Sequence, residues 1–140
     1  MTAARSASPT DLGAVFDRYS AAWAARDPER IAQAHHPDTT FWLHNGEAAV
    51  RGRSQVRDRF AALFEQYPEF GFDPHRVLFG DGHWVLDWAM TCVLPDAAGS
   101  ARPLRWDCLD VVTVDGSGLV LRKDTYVDAA QAAAMVASLA

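Results

Sequence analysis

Residues 104–114 constrain this chain more than any other stretch, because their pattern is that of a buried strand that carries a carboxylate. β-Branched and aromatic residues fill the stretch, and the turn cluster at residues 115–118 closes it. Alternate side chains of a strand share a face, so Asp110 shares its face with five apolar residues: Leu104, Trp106, Cys108, Val112 and Val114. A carboxylate among such side chains must find a partner or lose its charge. Asp110 is therefore either a hydrogen-bonded structural residue or a pocket residue that performs proton or hydrogen-bond chemistry.

The composition is that of one globular domain. The 140 residues are 49% hydrophobic and 22% charged, and this length allows a single sizeable core. The net charge is −5 without a run of Lys or Arg, so neither nucleic acid nor an anionic membrane is an expected partner. Apolar runs stay well short of the ~20 residues of a membrane span. Residues 1–9 lack the apolar segment of a secretory signal, so we expect a cytoplasmic protein.

The sequence contains no motif for a metal ion or a cofactor. Cys92 and Cys108 are its two cysteines, and on neighbouring predicted strands they are expected to be reduced, buried thiols. The histidines and carboxylates do not have metal-ligand spacing. Neither a glycine-rich phosphate loop nor a nucleophile elbow is present. We therefore expect no metal and no cofactor.

Helix signals are concentrated in the first half of the chain. Ser8 is the predicted N-cap of a first helix, whose apolar stripe ends near Arg26. A second helix starts at Asp27 and ends at the histidine pair 35–36, before a proline. Ser54 is the predicted cap of a third helix. The alanine-rich tail, residues 129–139, is also predicted to be helical.

The remaining segments are predicted strands. Asn45-Gly46 is the strongest hairpin signal, and a loop is expected over residues 95–103. The strands are predicted over residues 39–44, 46–51, 70–79, 83–94, 104–114 and 119–127. This order predicts an α+β domain with three helices on one face of a strongly curved antiparallel sheet. The core spans about residues 9–128, with the helical tail after it.

Aromatic residues dominate the predicted interior. Their spacing in the predicted helices and strands places six of them on inward faces: Trp23, Trp42, Phe60, Phe64, Trp88 and Trp106. So much aromatic surface forms either a dense core or the wall of an apolar pocket. In the second case these residues, with Met90 and Cys108, are the candidate contacts for a small hydrophobic molecule.

The sequence resembles the SnoaL-like branch of the nuclear transport factor 2-like superfamily. The resemblance covers roughly residues 12–128 and is carried by five segments: residues 19–31, 36–41, 51–53, 110–118 and 123–128. It implies a cone-shaped, antiparallel-rich sheet wrapped round a helix, the cystatin-like roll, with a deep apolar pocket at one end. It also implies a homodimer formed through the sheet. Fold resemblance does not specify activity, since this scaffold hosts several enzymes and non-catalytic subunits.

Site residues can be carried over only in part. Against the ketosteroid isomerases, the two oxyanion-hole donors fall on Tyr19 and Asp110. The general base of those isomerases falls near Leu43, which cannot take a proton, and the next residue, His44, is expected on the opposite face. SnoaL-type cyclases carry an acid on the last strand near Asp124, and the register of that strand decides which face Asp124 occupies.

The first hypothesis is a cofactor-independent isomerase, cyclase or dehydratase that acts on a small apolar cyclic carbonyl compound. Asp110 and Tyr19 would donate hydrogen bonds to the developing oxyanion, and Asp124 or His44 would be the acid or base. The mechanism of the limonene-type epoxide hydrolases is disfavoured, because residues 88–91 lack the Arg and Asp it needs. The alternatives are a non-catalytic small-molecule-binding module and a dimeric structural protein without a pocket.

Overall fold

The computed structural model describes residues 11–140, so the predicted cap Ser8 lies outside the described residues. Helix α1 (Leu12–Ala24) is capped by Asp11, whose carboxylate accepts from the Ala14 N–H at 3.2 Å. Asp27 caps α2 (Pro28–Gln33), which confirms the predicted start of the second helix. Helix α3 (Arg53–Gln66) has Gly52 at its N-cap, so the predicted cap Ser54 lies inside its first turn. Helix α4 (Ala129–Ala137) ends the chain. None of these helices is long and apolar enough to span a membrane.

Six strands form one mixed sheet in the order β2-β1-β6-β5-β4-β3. Their bounds are His35–His44 for β1, Val50–Arg51 for β2, Gly71–Gly80 for β3, His83–Pro95 for β4, Ala101–Val114 for β5 and Val120–Val127 for β6. Neighbouring strands are antiparallel except for β1 and β6, which are parallel. The predicted α+β class is confirmed, while the parallel pair makes the sheet mixed rather than purely antiparallel.

Three strand boundaries differ from the sequence prediction. β1 begins at His35, where a helix end was predicted, because this residue pairs with Val120 and its ring is buried. The hairpin turn at residues 45–46 forms, but only Val50–Arg51 of the returning segment pairs with β1. β5 begins at Ala101, which shortens the predicted loop between β4 and β5.

The core lies between the helices and one face of the sheet, here called the inner face. Phe60 of α3 is at its centre and has no exposed surface. Its ring centroid lies 4.8 Å from that of Trp23, 4.9 Å from that of Phe41 and 5.5 Å from that of His35. Phe60 therefore joins α1, α3 and β1, and its role in the structure is packing.

We predict that Phe60→Ala lowers the free energy of unfolding by about 3–5 kcal/mol, because it removes a fully buried ring and leaves a cavity. Urea denaturation measures this loss. Leu78→Ala is the control, since the Leu78 side chain is 52% exposed and its truncation should change stability by less than about 0.5 kcal/mol. Equal losses in the two variants would contradict this account of the core.

Candidate functional site

A cavity of about 380 Å³ lies between the helices and the inner face of the sheet. Its size falls within the range of small-molecule sites. Most of its wall is apolar and aromatic, including Phe16, Trp23, Leu63, Phe70, Trp84, Trp88, Met90 and Trp106. Polar side chains join this wall at Tyr19, Asp110, Lys123 and Thr125. The last three come together because Asp110 lies opposite Thr125, and Val112 opposite Lys123, in the pairing of β5 with β6.

Asp110 accepts hydrogen bonds at both carboxylate oxygens. Lys123 Nζ donates to Oδ2 at 3.1 Å, and Thr125 Oγ1 donates to Oδ1 at 2.8 Å. The Asp110 and Lys123 side chains are only 4% and 7% exposed. Burial by itself would lower the pKa of the Lys123 ammonium, but the charge of Asp110, aided by Tyr19, outweighs burial and raises that pKa. Both Asp110 oxygens thus accept hydrogen bonds from neighbouring side chains and one is paired with the Lys123 ammonium, whereas the isomerase resemblance implied a hydrogen-bond donor at this position.

Two aromatic rings complete the surroundings of the Lys123 ammonium. Nζ lies 4.8 Å from the ring centroid of Trp23 and 5.1 Å from that of Tyr19, close enough for cation–π attraction. The sequence reasoning assigned no role to Lys123 or Thr125. The sequence feature that could have identified them is the alternation of side chains along β6, which places residues 123, 125 and 127 on the same face of the sheet as Asp110.

The Tyr19 hydroxyl is hydrogen-bonded to a buried histidine rather than to Asp110. Tyr19 Oη lies 2.8 Å from His35 Nε2, and His35 Nδ1 lies 2.8 Å from Thr39 Oγ1. Burial, followed by the charges of Lys123 and Arg53, lowers the pKa of His35 to about 3, so the imidazole is neutral. Burial also raises the pKa of Tyr19. Sequence reasoning missed His35, since its position beside a proline suggested a helix end.

The two predicted acid–base candidates meet each other on the outer face of the sheet. His44 Nε2 lies 2.8 Å from Asp124 Oδ1, and the Arg122 guanidinium binds both carboxylate oxygens of Asp124 at 2.8 and 3.0 Å. The His44 ring stacks between Trp42 and Tyr126, with centroid distances of 4.3 and 4.0 Å. His44 borders the cavity at the end of β1, whereas Asp124 is not among the residues that line it. Burial favours a higher pKa for Asp124, but the bonds from Arg122 and His44 outweigh it and lower that pKa.

Five of the eight predicted contact residues line the cavity: Trp23, Trp88, Met90, Trp106 and Cys108. The inward orientation predicted for Trp42 was wrong, because the neighbouring Leu43 faces the cavity and the Trp42 indole N–H donates to the Glu47 carbonyl at 3.0 Å on the other face. Phe60 belongs to the core, and Phe64 packs on Trp23 and Phe70 outside the lining.

The two cysteines of the chain are buried free thiols. Burial, followed by the charge of Asp110, raises the pKa of the Cys108 thiol to about 12. Cys108 lies opposite Trp88, and Cys92 lies opposite Leu104, so the two free thiols are too far apart along the strands for a disulfide. Within residues 11–140, no group of three or more His, Cys, Asp or Glu is arranged to hold a metal ion.

We predict that Lys123→Met lowers the free energy of unfolding by about 3–5 kcal/mol, because Asp110 is left as an uncompensated buried charge. The double variant Lys123→Met/Asp110→Leu should recover most of this loss, since it removes both charges. Urea denaturation of the three proteins measures the effect. Arg105→Met, which breaks the half-exposed Arg105–Asp73 pair, is the control and should lose far less. A double variant as unstable as the single one would contradict the explanation.

We also predict that His35 makes the protein less stable as the pH falls. The folded-state pKa of about 3 lies below the ordinary value of 6.5. Between these pH values the unfolded chain therefore binds a proton that the folded protein does not. The free energy of unfolding should fall by up to about 1.4 kcal/mol for each pH unit of acidification from this residue alone.

Urea midpoints measured between about pH 7 and pH 4.5 test the contribution of His35, since that interval lies inside its titration window. His35→Gln should flatten the slope of stability against pH, whatever its effect at neutral pH. His75→Gln, at a side chain that is 39% exposed, should keep the wild-type slope. A wild-type slope in His35→Gln would show that His35 does not titrate as described.

Solved structures share this fold at low sequence identity. A proposed SnoaL-like polyketide cyclase from Shewanella putrefaciens aligns with a TM-score of 0.77 at 12% identity, over 89% of this chain and 84% of that one. A protein with a ketosteroid isomerase-like fold from Catenulispora acidiphila, in complex with trimethylamine, aligns with a TM-score of 0.74 at 14% identity, over 91% of this chain and 93% of that one. An LEH-like epoxide hydrolase from M. tuberculosis aligns with a TM-score of 0.71 at 14% identity, over 94% of this chain and 90% of that one. These likenesses show the fold and not the activity.

Sequence comparison identifies the family. No curated protein matches the chain. The family model described as a SnoaL-like domain matches residues 16–122, which include most of α1 and the whole of β1 to β5 and end one residue before Lys123. Because this match covers well over half of the 140 residues, and because the fold agrees with it, the chain belongs to the SnoaL-like domain family.

Proposed function

We propose that this protein is a cofactor-independent acid–base enzyme that acts on a small, largely apolar cyclic ketone. The observation that carries the proposal is the buried Asp110–Lys123 ion pair in the wall of an otherwise apolar cavity. An ion pair in such surroundings costs desolvation energy, and buried charged groups that line a cavity are candidates for function. The apolar remainder of the wall favours a hydrophobic ring skeleton in the ligand.

The two charged groups supply the two functions that enolisation needs. The Asp110 carboxylate takes the proton from the carbon next to the carbonyl, and the C–H electron pair moves to form the enolate. The Lys123 ammonium donates a hydrogen bond to the developing oxyanion, and its charge acts strongly there because the side chain is buried. Thr125 holds Asp110 Oδ1 in position. Tyr19 stays beside Lys123 as a neutral neighbour.

The fate of the enolate decides the reaction class. Return of the proton from Asp110 to another carbon of the conjugated system gives an isomerase. Attack of the enolate carbon on a second carbonyl, with the proton delivered to the new alkoxide, gives a cyclase. Expulsion of a β-hydroxyl as water, with the proton from Asp110, gives a dehydratase. The same pair of side chains serves all three outcomes.

A different observation favours a non-catalytic alternative. Asp110 and Lys123 neutralise each other, and almost none of their surface is exposed. A ligand can therefore occupy the apolar part of the cavity without touching either charge. In that case the protein is a small-molecule-binding module, and the ion pair serves to fix the register of β5 and β6.

We predict that the protein accelerates hydrogen–deuterium exchange next to the carbonyl of cyclic ketones in D₂O, because enolisation is common to the three reaction classes. Proton NMR follows the exchange in 1-tetralone, 2-tetralone and 5-androstene-3,17-dione. Asp110→Asn should slow the enzymatic exchange by about 10²–10⁴-fold, the usual contribution of a general base, and Lys123→Met should also slow it strongly.

Asp124→Asn is the matched control, since it alters a carboxylate of the neighbouring strand β6 that does not line the cavity. It should keep the wild-type exchange rate. Thermal shift with the same ketones separates the two proposals, because a ligand that binds the native state raises the melting temperature. Stabilisation without exchange indicates the binding module, and equal exchange in wild type and Asp110→Asn would overturn the enzymatic assignment.

A further inference from the structure

Helix α4 closes part of the cavity without being part of the core. Ala129 and Ala132 line the cavity, yet no residue of α4 is buried. The other helices that line the cavity, α1 and α3, both contribute buried residues. Among the helices of residues 11–140 that line it, α4 is therefore the one whose release would open the cavity while the core stays intact.

A reciprocal pair of hydrogen bonds attaches α4 to β5, here called the Gln131–Asp107 clasp. Gln131 Oε1 accepts from the Asp107 backbone N–H at 2.8 Å, and Gln131 Nε2 donates to Asp107 Oδ2 at 2.9 Å. The clasp exists because pairing of β5 with β6 ends at Cys108 and Val127. From Asp107 back towards Ala101, this edge of β5 has no β6 residue opposite it, and Gln131 bonds to Asp107 where a strand partner would otherwise lie.

The remaining polar attachments lie at the two ends of the helix. At the start, the Asp128 N–H donates to the Asp107 carbonyl at 2.9 Å. Beyond the other end, the Ala97 N–H donates to the Leu139 carbonyl at 2.8 Å. Apolar attachment is limited to the partly buried Ala132 and Leu139, whereas Met135 and Val136 are 37% and 51% exposed.

We propose that α4 is a strap that opens locally to admit ligand to the cavity, and that the Gln131–Asp107 clasp holds it closed. Segments with few buried apolar contacts open at low free energy without global unfolding. The backbone and side-chain groups that the clasp releases are re-solvated by water, so each lost hydrogen bond costs only a modest net amount. The strands of the cavity wall lack this freedom, because their ladders continue through the sheet.

The native thiol Cys108 reports strap opening directly. It lines the cavity, lies next to Asp107 and is only 6% exposed in the closed structure. A Cys92→Ala background leaves Cys108 as the single thiol of the chain. Its reaction with 5,5′-dithiobis(2-nitrobenzoate), followed by absorbance at constant pH, measures how often the cavity is open to a small aromatic reagent.

We expect Gln131→Ala to raise the labelling rate of Cys108 by roughly ten-fold, since one or two hydrogen bonds of the closed state are lost. Gln131→Glu should raise it further, because a carboxylate then faces that of Asp107. Gln33→Ala, at an exposed glutamine of α2, is the control and should leave the rate unchanged. Low urea, below the unfolding transition, should hardly alter the rate, because local opening exposes little surface.

Two results would overturn the strap. One is equal labelling in wild type and Gln131→Ala. The other is a labelling rate that rises with urea as steeply as global unfolding does, since Cys108 would then react only through the unfolded chain. Amide hydrogen exchange adds a second readout: α4 amides should exchange faster than those of the β4–β5 ladder and faster still in Gln131→Ala.

The strap depends on the proposed function only for the identity of the ligand that enters. Its tests use no ketone, so a strap that opens in a protein without ketone exchange refutes the enzymatic proposal alone. Conversely, ketone exchange that is the same in wild type and Gln131→Ala, together with unchanged Cys108 labelling, refutes the strap alone.

Discussion

The buried ion pair between Lys123 and Asp110 is the interaction on which the rest of the site depends. A lysine ammonium in an apolar interior is unfavourable unless an opposite charge and further contacts compensate for its lost hydration. Here a carboxylate, two aromatic rings and the hydroxyl that holds the carboxylate provide that compensation. The carboxylate and the hydroxyl meet the ammonium through one register between β5 and β6, so this register sets the charges of the cavity wall.

The alternation of β6 divides the polar side chains of this strand into two sets. Lys123 and Thr125 face the cavity, while Arg122 and Asp124 face the other side of the sheet with His44. Groups that are adjacent in sequence are therefore separated by the thickness of the sheet. The outer set forms its own network of ion pairs and stacked rings. The inner set borders the cavity, which is why the proposed chemistry uses Asp110 and Lys123 rather than Asp124 and His44.

The fold was largely predictable because its signals are local. Proline, glycine and cap residues mark most of the element boundaries, and the alternation of residues 104–114 places Asp110 on the buried face, as the structure confirms. One error occurred where a short segment is apolar on both faces. In Phe41-Trp42-Leu43 every residue is apolar, so the alternation of apolar and polar residues does not show which side chains face the core. The pairing of β1 with β6 places Trp42 on the outer face. His35 was misjudged because its strand pairing and its contact with Tyr19 are both long-range.

The sequence by itself determined the α+β class, most of the elements, the family resemblance and the burial of one carboxylate, since these follow from periodicity and local backbone preferences. Only the tertiary structure decided what that carboxylate contacts. Asp110 and Lys123 lie on different strands and meet because those strands pair. Tyr19 bonds to His35 because strand β1 begins at His35, where a helix end was expected. Long-range pairing sets such contacts, and a single residue of register decides whether a charge faces the cavity or the solvent.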